Sequence, residues 1–262
     1  MKAELLHIYG PFSIQSYGLF IIFGLIAFIE SVRRDPRFAR LGIANIWVHL
    51  VLAGAAIGLL GGRLLFVLTE QESWCLADIF TFWYGGFSVL GGIISVTLFM
   101  PMYLYYHRIA IVPFADLIAI YAPLMLGICR IGCFFAGCCY GTPTSAWWGV
   151  CYTDVTSSAP LHINMHPTQL YSAAFLFGIF LFMYFFARHH LHKKGQLIST
   201  FLFFQGAERF IVDFWRADRL LLARIPFLSL HQCIAIGIMI FAAACFCLAT
   251  WWPSRHRTSE IR

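Results

Sequence analysis

Arg130 to Gly141 reads RIGCFFAGCCYG, an arginine and three cysteines inside a stretch apolar enough for a membrane. Arginine presents a planar fork of donors that suits a phosphate. Thiols supply nucleophiles when their pKa is lowered, or soft metal ligands. Two more arginines, Arg63 and Arg209, also fall within apolar runs. A charge at mid-bilayer costs at least about 2.5 kcal/mol. Each arginine therefore either snorkels to the interface or serves a ligand. Three of them near the same end of their helices would make a positive pocket for an anionic headgroup. In GAERFIVDFWR, Arg209 and Asp213 are four apart and Arg209 and Arg216 seven apart, which puts them on one helical face with Glu208 off it. The same spacing also fits a self-neutralising ion pair that makes the helix tolerable in lipid.

The elements that position these residues are read from hydropathy. The 262 residues are 60% hydrophobic and 11% charged, with a mean hydropathy of +0.77. Soluble domains carry about 25% charged residues, so the chain is expected to be an all-α polytopic membrane protein, a single integral membrane domain over 1–262. The amino-terminal MKAELLHIYGPFSIQSYG lacks the basic, apolar and cleavage regions of a signal peptide, so the first apolar stretch is expected to be retained. A net charge of +6 would suit nucleic acid, but the cations sit between apolar stretches, where membrane topology accounts for them. No nucleic-acid partner is expected.

With about 20 apolar residues per span, seven transmembrane helices are predicted, over 13–31, 42–69, 87–105, 111–135, 168–187, 197–215 and 229–252. One set of loops holds Arg33, Arg34, Arg37, Arg40, Arg108, Arg188, Lys193, Lys194, Arg255, Arg257 and Arg262. The other holds only Lys2, Arg216, Arg219 and Arg224. The positive-inside rule puts the first set in the cytoplasm, the N-terminus outside and the C-terminus inside. Two larger loops then lie outside. One, over 70–86, carries Glu70, Glu72 and Asp78. The other, over 136–167, is a small extracytoplasmic region rich in turn residues, with Trp147 and Trp148 suited to an interfacial belt. Glycines in GGR at 61–63 and WYGGFSVLGG at 83–92 either let helices pack closely or let backbone N–H groups approach a ligand.

Six segments in order resemble the bacterial prolipoprotein diacylglyceryl transferase family. They are SYGL at 16–19, LLGGRLLFVL at 59–68, WYGGFSVLGG at 83–92, RIGCFFAGCCYG at 130–141, HPTQLY at 166–171 and GAERFIVDFWR at 206–216. The resemblance implies a multi-pass enzyme of the bacterial inner membrane. It would move the diacylglyceryl group of phosphatidylglycerol to the lipobox cysteine of a prolipoprotein, which it would meet through the signal peptide, among membrane lipids. It implies no metal or organic cofactor. Carried over residue by residue, Arg130 and Arg209 would hold the phosphate and stabilise its developing charge, with Arg63 in support. Tyr17, Gln169 and Tyr171 would line the lipid site, with Gly91 and Gly92 beside it.

The sequence departs from the family pattern at the step that needs a base. The family's histidine before the second Gly-Gly is Leu90 here, and the signature asparagine is Cys133. Polar and acidic signature positions are Ala136 and Cys138. His166 is one substitute base. Cys138 or Cys139 is another candidate, as a nucleophile that would take the lipid first. Cys133, Cys138, Cys139 and His166 also supply soft metal ligands, although CxxC spacing is absent. A fourth reading is a Cys138 or Cys139 disulfide with Cys151, or plain packing. The alternative to transfer is a non-catalytic or altered-acceptor paralog that binds anionic phospholipid or a membrane partner.

Overall fold

A computed structural model of the chain describes residues 4–9, 12–70, 86–222 and 225–251. Lys2, Glu72, Asp78, Trp83, Tyr84, Gly85, Arg224, Arg255, Arg257 and Arg262, which entered the sequence reading, lie outside the described residues. A short antiparallel pair, β1 (Glu4–Tyr9) and β2 (Phe12–Gln15), precedes α1 (Ser16–Arg33). Next come the short α2 (Pro36–Arg40), then α3 (Trp47–Glu70), α4 (Val89–Tyr106) and α5 (Ile111–Ala136). Strands β3 (Val150–Cys151) and β4 (Asn164–Met165) pair antiparallel ahead of α6 (Thr168–Phe182). A π-helical turn, Met183–Ala187, joins α6 to the one-turn α7 (Arg188–His190). The chain continues through α8 (Gln196–Val212), β5 (Leu221–Leu222), β6 (Ile225–Ser229) and α9 (Leu230–Trp251).

Six of these helical stretches are long and apolar enough to cross a membrane: α1, α3, α4, α5, α6 with its continuation to His190, and α9. The expected sixth span, 197–215, differs. Its helix α8 has 17 residues and stops at Val212, then tightens into a 3₁₀ turn, Asp213–Trp215. At about 1.5 Å per residue it reaches about 25 Å, short of the ~30 Å apolar core. Arg216 is thus in extended backbone beyond the helix, with ψ 142°, and not on a helical face shared with Arg209.

The chain divides into two compact units, one of residues 16–29 with the chain from 115 onward, the other of 4–15 and 30–114. The second unit is built on α3 against α4. A Cβ added at Gly61 would stand inside the Ser95 side chain, and one at Gly91 would strike the Gly61 carbonyl. Glycine at both positions is what lets these backbones meet. Ser88 caps α4 by accepting from the Gly91 N–H at 3.4 Å. Asp35 caps α2 by accepting from the Arg37 N–H at 2.8 Å, with Pro36 supplying the first helical residue.

Among the spans of the first unit α5 is the most enclosed, with 44% of its most apolar window buried against 11% for α9. Gly24 of α1 sits against the Met125 carbonyl, and Gly132 of α5 against Phe20 and Tyr17. Gly206 gives α8 its close approach to Ala235 and Met239 of α9. The N-terminus of α8 is capped from a distance. Buried Asp116 of α5 accepts from the Gly195 N–H at 2.7 Å and the Ile198 N–H at 2.9 Å. Four helix-start N–H groups need partners, and a carboxylate there also meets the positive end of the helix dipole.

Asp116→Ala should therefore lower stability by about 2 kcal/mol, the upper end for loss of a cap, while Asp116→Asn retains part of it. Thermal unfolding in detergent checks this, and an unchanged midpoint for Asp116→Ala would show that the cap does not hold α8 in place.

Candidate active site

The last two turns of α5 carry Arg130 and Cys133 three residues apart, on one face. The helix ends at Gly137, whose φ of +73° makes it a left-handed terminator. Cys139 then adopts φ +60°, a conformation that costs a residue with a side chain about 1 kcal/mol or more. Two left-handed residues so close together fold Cys138 and Cys139 back on the helix end. The Sγ atoms of Cys133, Cys138 and Cys139 come within 4.8 Å of one another.

The strained turn is held from outside. Gln169 Nε2 donates to the Cys138 carbonyl at 2.8 Å, and Thr168 Oγ1 donates to the Cys139 carbonyl at 2.7 Å. Gln169 also donates to the Tyr152 hydroxyl at 3.2 Å, which in turn donates to the Phe134 carbonyl at 3.2 Å. Gln169 is 1% exposed. The amide that the resemblance assigns to lining the lipid site is thus engaged with the cysteine turn.

Residues 140–142 lie between two other segments. Gly141 N–H donates to the His166 carbonyl and His166 N–H to the Thr142 carbonyl, both at 3.0 Å. On the other side Thr142 N–H donates to the Trp215 carbonyl at 2.8 Å, and Ala217 N–H to the Tyr140 carbonyl at 3.2 Å. A Cβ at Gly141 would fall 2.6 Å from the His166 carbonyl oxygen and 2.7 Å from that of Trp215. These bonds bind the ends of α5, α6 and α8 together and bring Arg216 to Cys139.

Arg216 makes a two-point bond to Asp218, Nε–Oδ1 2.7 Å and Nη2–Oδ2 2.6 Å. Burial works against its cation, yet Asp218 and the Cys139 sulfur hold its pKa above the ordinary value. Arg216 in turn keeps the Asp218 carboxyl below its usual range. Hydrogen bonds from Cys133 and Cys138, with Arg216 and Arg130 nearby, draw the Cys139 thiol far below the usual thiol range against the effect of burial. Cys138 is driven the other way by its bonds to Cys133 and Cys139 and by burial. All eight cysteines among the described residues are free thiols, so Cys151 pairs with neither Cys138 nor Cys139.

Arg130 is half-buried and makes no hydrogen bond or ion pair among the described residues. It acts electrostatically on Cys133, Cys139 and Arg209. Tyr17 lies within the electrostatic reach of the same thiols. Arg209 is paired, Nη2 to Asp213 Oδ1 at 3.7 Å. Fully buried Asp213 also faces Arg219 at 3.6 Å and His231 at 3.8 Å, and accepts a short hydrogen bond from Ser229. Buried Glu208 accepts from Ser172 of α6 and from Gln205 at 3.0 Å. His166 Nδ1 and the Tyr171 hydroxyl are 3.1 Å apart, and Trp148 Nε1 donates to the same hydroxyl at 2.8 Å. Arg63, Gly91 and Gly92 belong to the other unit. There Arg63 is buried, donates to the Gly86 carbonyl at 2.8 Å and stacks over Phe66, while Leu90 is 61% exposed.

The roles of Tyr152, Thr168, Ser229 and Asp218 escaped the sequence reading. Only Asp218 carried a signal, as an acid two residues from Arg216.

The chain matches the family model described as prolipoprotein diacylglyceryl transferase over residues 3–248. It is 32% identical over 247 residues to a phosphatidylglycerol–prolipoprotein diacylglyceryl transferase of Clostridium tetani, covering 92% of this chain and 97% of that one. A Bordetella parapertussis protein of the same description is 31% identical over 255 residues, 94% and 95% of the two chains. One from Geobacter sulfurreducens is 34% identical over 212 residues, 79% of each.

Asp213→Ala strands Arg209 and Arg219 without their carboxylate. Removing one partner of a buried pair costs about 3–5 kcal/mol, and the lower figure applies because both arginines keep about a quarter of their side chains exposed. A loss of about 3 kcal/mol, read as a lowered unfolding midpoint in detergent, is expected. A midpoint shift no larger than that of an exposed substitution such as Lys194→Ala would argue against the hub.

Proposed function

The chain belongs to the prolipoprotein diacylglyceryl transferase family, and we propose that it transfers the diacylglyceryl group of phosphatidylglycerol to the thiol of a prolipoprotein's lipobox cysteine. The reaction is a substitution at carbon. The acceptor sulfur bonds to the terminal glyceryl carbon, the carbon–oxygen bond to the phosphate breaks, and glycerol phosphate leaves with the electron pair. The protein is a multi-pass membrane protein, and its site is read as lying at the outer face of the inner membrane, where the acceptor's signal peptide places the cysteine.

The observation that carries this reading is Arg130. A half-buried cation with no hydrogen bond or ion pair among the described residues, near paired Arg209, suits an anion from outside the chain. Its fork of donors fits the phosphate diester in the ground state. It gains more as charge grows on the leaving oxygen, which is the condition for accelerating the step. Arg209 is held by Asp213 and supplies a second, fixed positive charge. Tyr17, within electrostatic reach of the thiols, is read as hydrogen-bonding in the lipid site, and Tyr171 is held by Trp148 and His166. Gly91 and Gly92 let α3 and α4 approach, and Arg63 donates to the Gly86 carbonyl ahead of α4; their part in substrate binding rests on the family resemblance alone.

His166 Nδ1 lies 3.1 Å from the Tyr171 hydroxyl, which also accepts from Trp148 Nε1. His166 is one base for the acceptor thiol. Leu90 has no proton-accepting atom and is largely exposed. A covalent lipid on Cys138 or Cys139 is chemically disfavoured as well, because the thioether so formed has a poor leaving group. Activation of the acceptor thiol falls to His166 or to another device.

In cells depleted of their own transferase, the wild-type chain should restore mature lipoprotein. Arg130→Gln should lower the rate of prolipoprotein processing about 100-fold or more, and Arg130→Lys should fall between. A folded, inserted wild-type chain that restores no processing would overturn the assignment and favour a phospholipid-binding paralog.

A further inference from the structure

We propose that Cys133, Cys138 and Cys139 form a three-thiolate site for one zinc ion, whose fourth position takes the thiol of the acceptor cysteine. The inference rests on the transfer reaction proposed above. Three thiolates at about 2.3 Å from a tetrahedral zinc stand roughly 3.8 Å apart. The three Sγ atoms are already within 4.8 Å of one another, so a small inward rotation of the side chains completes the site.

The site has a built character that a chance cluster of thiols lacks. One ligand comes from the rigid last turn of α5 and two from the turn after it. Cys139 is kept in a left-handed conformation, which turns its sulfur toward the other two. The carbonyls of both Cys138 and Cys139 are fixed by hydrogen bonds from consecutive residues of α6. Metal sites rely on such outer bonds to orient their ligands. The spacing Cys-x₄-Cys-Cys is not a CxxC knuckle, and the left-handed turn does the work a knuckle would do. Zinc with three thiolates carries a net charge of −1, which Arg216 and Arg130 offset.

The group contains three ligands and no fourth among the described residues. His166, the fourth ligand weighed from sequence, is engaged with Tyr171 instead. Structural zinc sites are closed by four protein ligands, whereas a site with three keeps a position for water or substrate. That open position supplies an activation of the acceptor thiol that Leu90 cannot. A thiol bound to zinc is deprotonated. The incoming thiol displaces zinc-bound hydroxide, and its proton leaves with that hydroxide as water. The zinc-bound sulfur donates its electron pair to the glyceryl carbon, and the carbon–oxygen bond breaks toward the phosphate held by Arg130. The neutral thioether is a weak ligand and departs. Water takes its place and loses a proton to regenerate the hydroxide.

The test uses the full chain purified in detergent without a histidine tag or chelator. Metal analysis should find about one zinc per chain. Exchange with Co²⁺ should give thiolate-to-cobalt charge-transfer absorption and tetrahedral d–d bands, and a lipobox peptide with a single cysteine should shift those bands. Cys133→Ser, Cys138→Ser and Cys139→Ser should each lower zinc content at least tenfold, and Cys151→Ser should leave it unchanged. Wild-type protein that holds no zinc and gives no cobalt–thiolate absorption overturns the site, whatever the variants do. So does copper in place of zinc, an equal loss in Cys151→Ser, or cobalt bands that ignore the peptide. Zinc bound with no prolipoprotein processing in depleted cells refutes the transfer reading and leaves the metal site standing. Processing by a metal-free chain does the reverse.

Discussion

Backbone that leaves a helix near a lipid phase must find every hydrogen bond inside the protein, and residues 140–142 meet that constraint from two sides at once. Their N–H and carbonyl groups alternate between the segment entering α6 and the segment leaving α8. Three helix ends are joined by this one stretch. Gly141 is the place where a side chain would not fit. Once it is seated, Arg216 has no freedom to avoid Cys139, and Thr168 and Gln169 fall opposite the cysteine carbonyls. The chemistry of the site is therefore a consequence of backbone pairing before it is a consequence of side-chain choice.

Charge is handled by the same economy of partners. Asp213 is fully buried and has two arginines, a histidine and a serine around it. Asp218 answers Arg216 with both oxygens. Glu208 is satisfied by a serine and an amide. Arg130 stands apart from Arg209, Arg216 and Arg219, with no hydrogen bond or ion pair among the described residues. That asymmetry is the feature a structural ion network would not need, and it sits three residues before Cys133.

The spans were legible because their signal is bulk composition. The run 111–135 became Ile111–Ala136 and 229–252 became Leu230–Trp251. The 168–187 run continued to His190, and 87–105 shifted by two residues or less. The Arg209–Asp213 pair was also legible, since four-residue spacing on a helix is a local rule. The same rule failed three residues later. It assumed that the helix persists, whereas Asp213 ends it and turns Arg216 toward the α5 terminus. The convergence of Cys133 with Cys138 and Cys139 was hidden for a different reason. It depends on Cys139 taking a left-handed backbone, which no side-chain pattern encodes and only tertiary bonds maintain. Gln169 read as a pocket residue because its type suits a ligand as well as it suits a carbonyl.

Asp116 has a consequence for how the chain is made. Its two N–H partners lie 79 and 82 residues further along. During synthesis α5 enters the bilayer long before those donors exist, so its carboxylate starts without the α8 cap. The carboxylate belongs to the most enclosed span of the first unit, and its two bonds to α8 form only once α8 is in place. The order of translation therefore leaves the α5–α8 junction to be closed late, by the younger of the two helices.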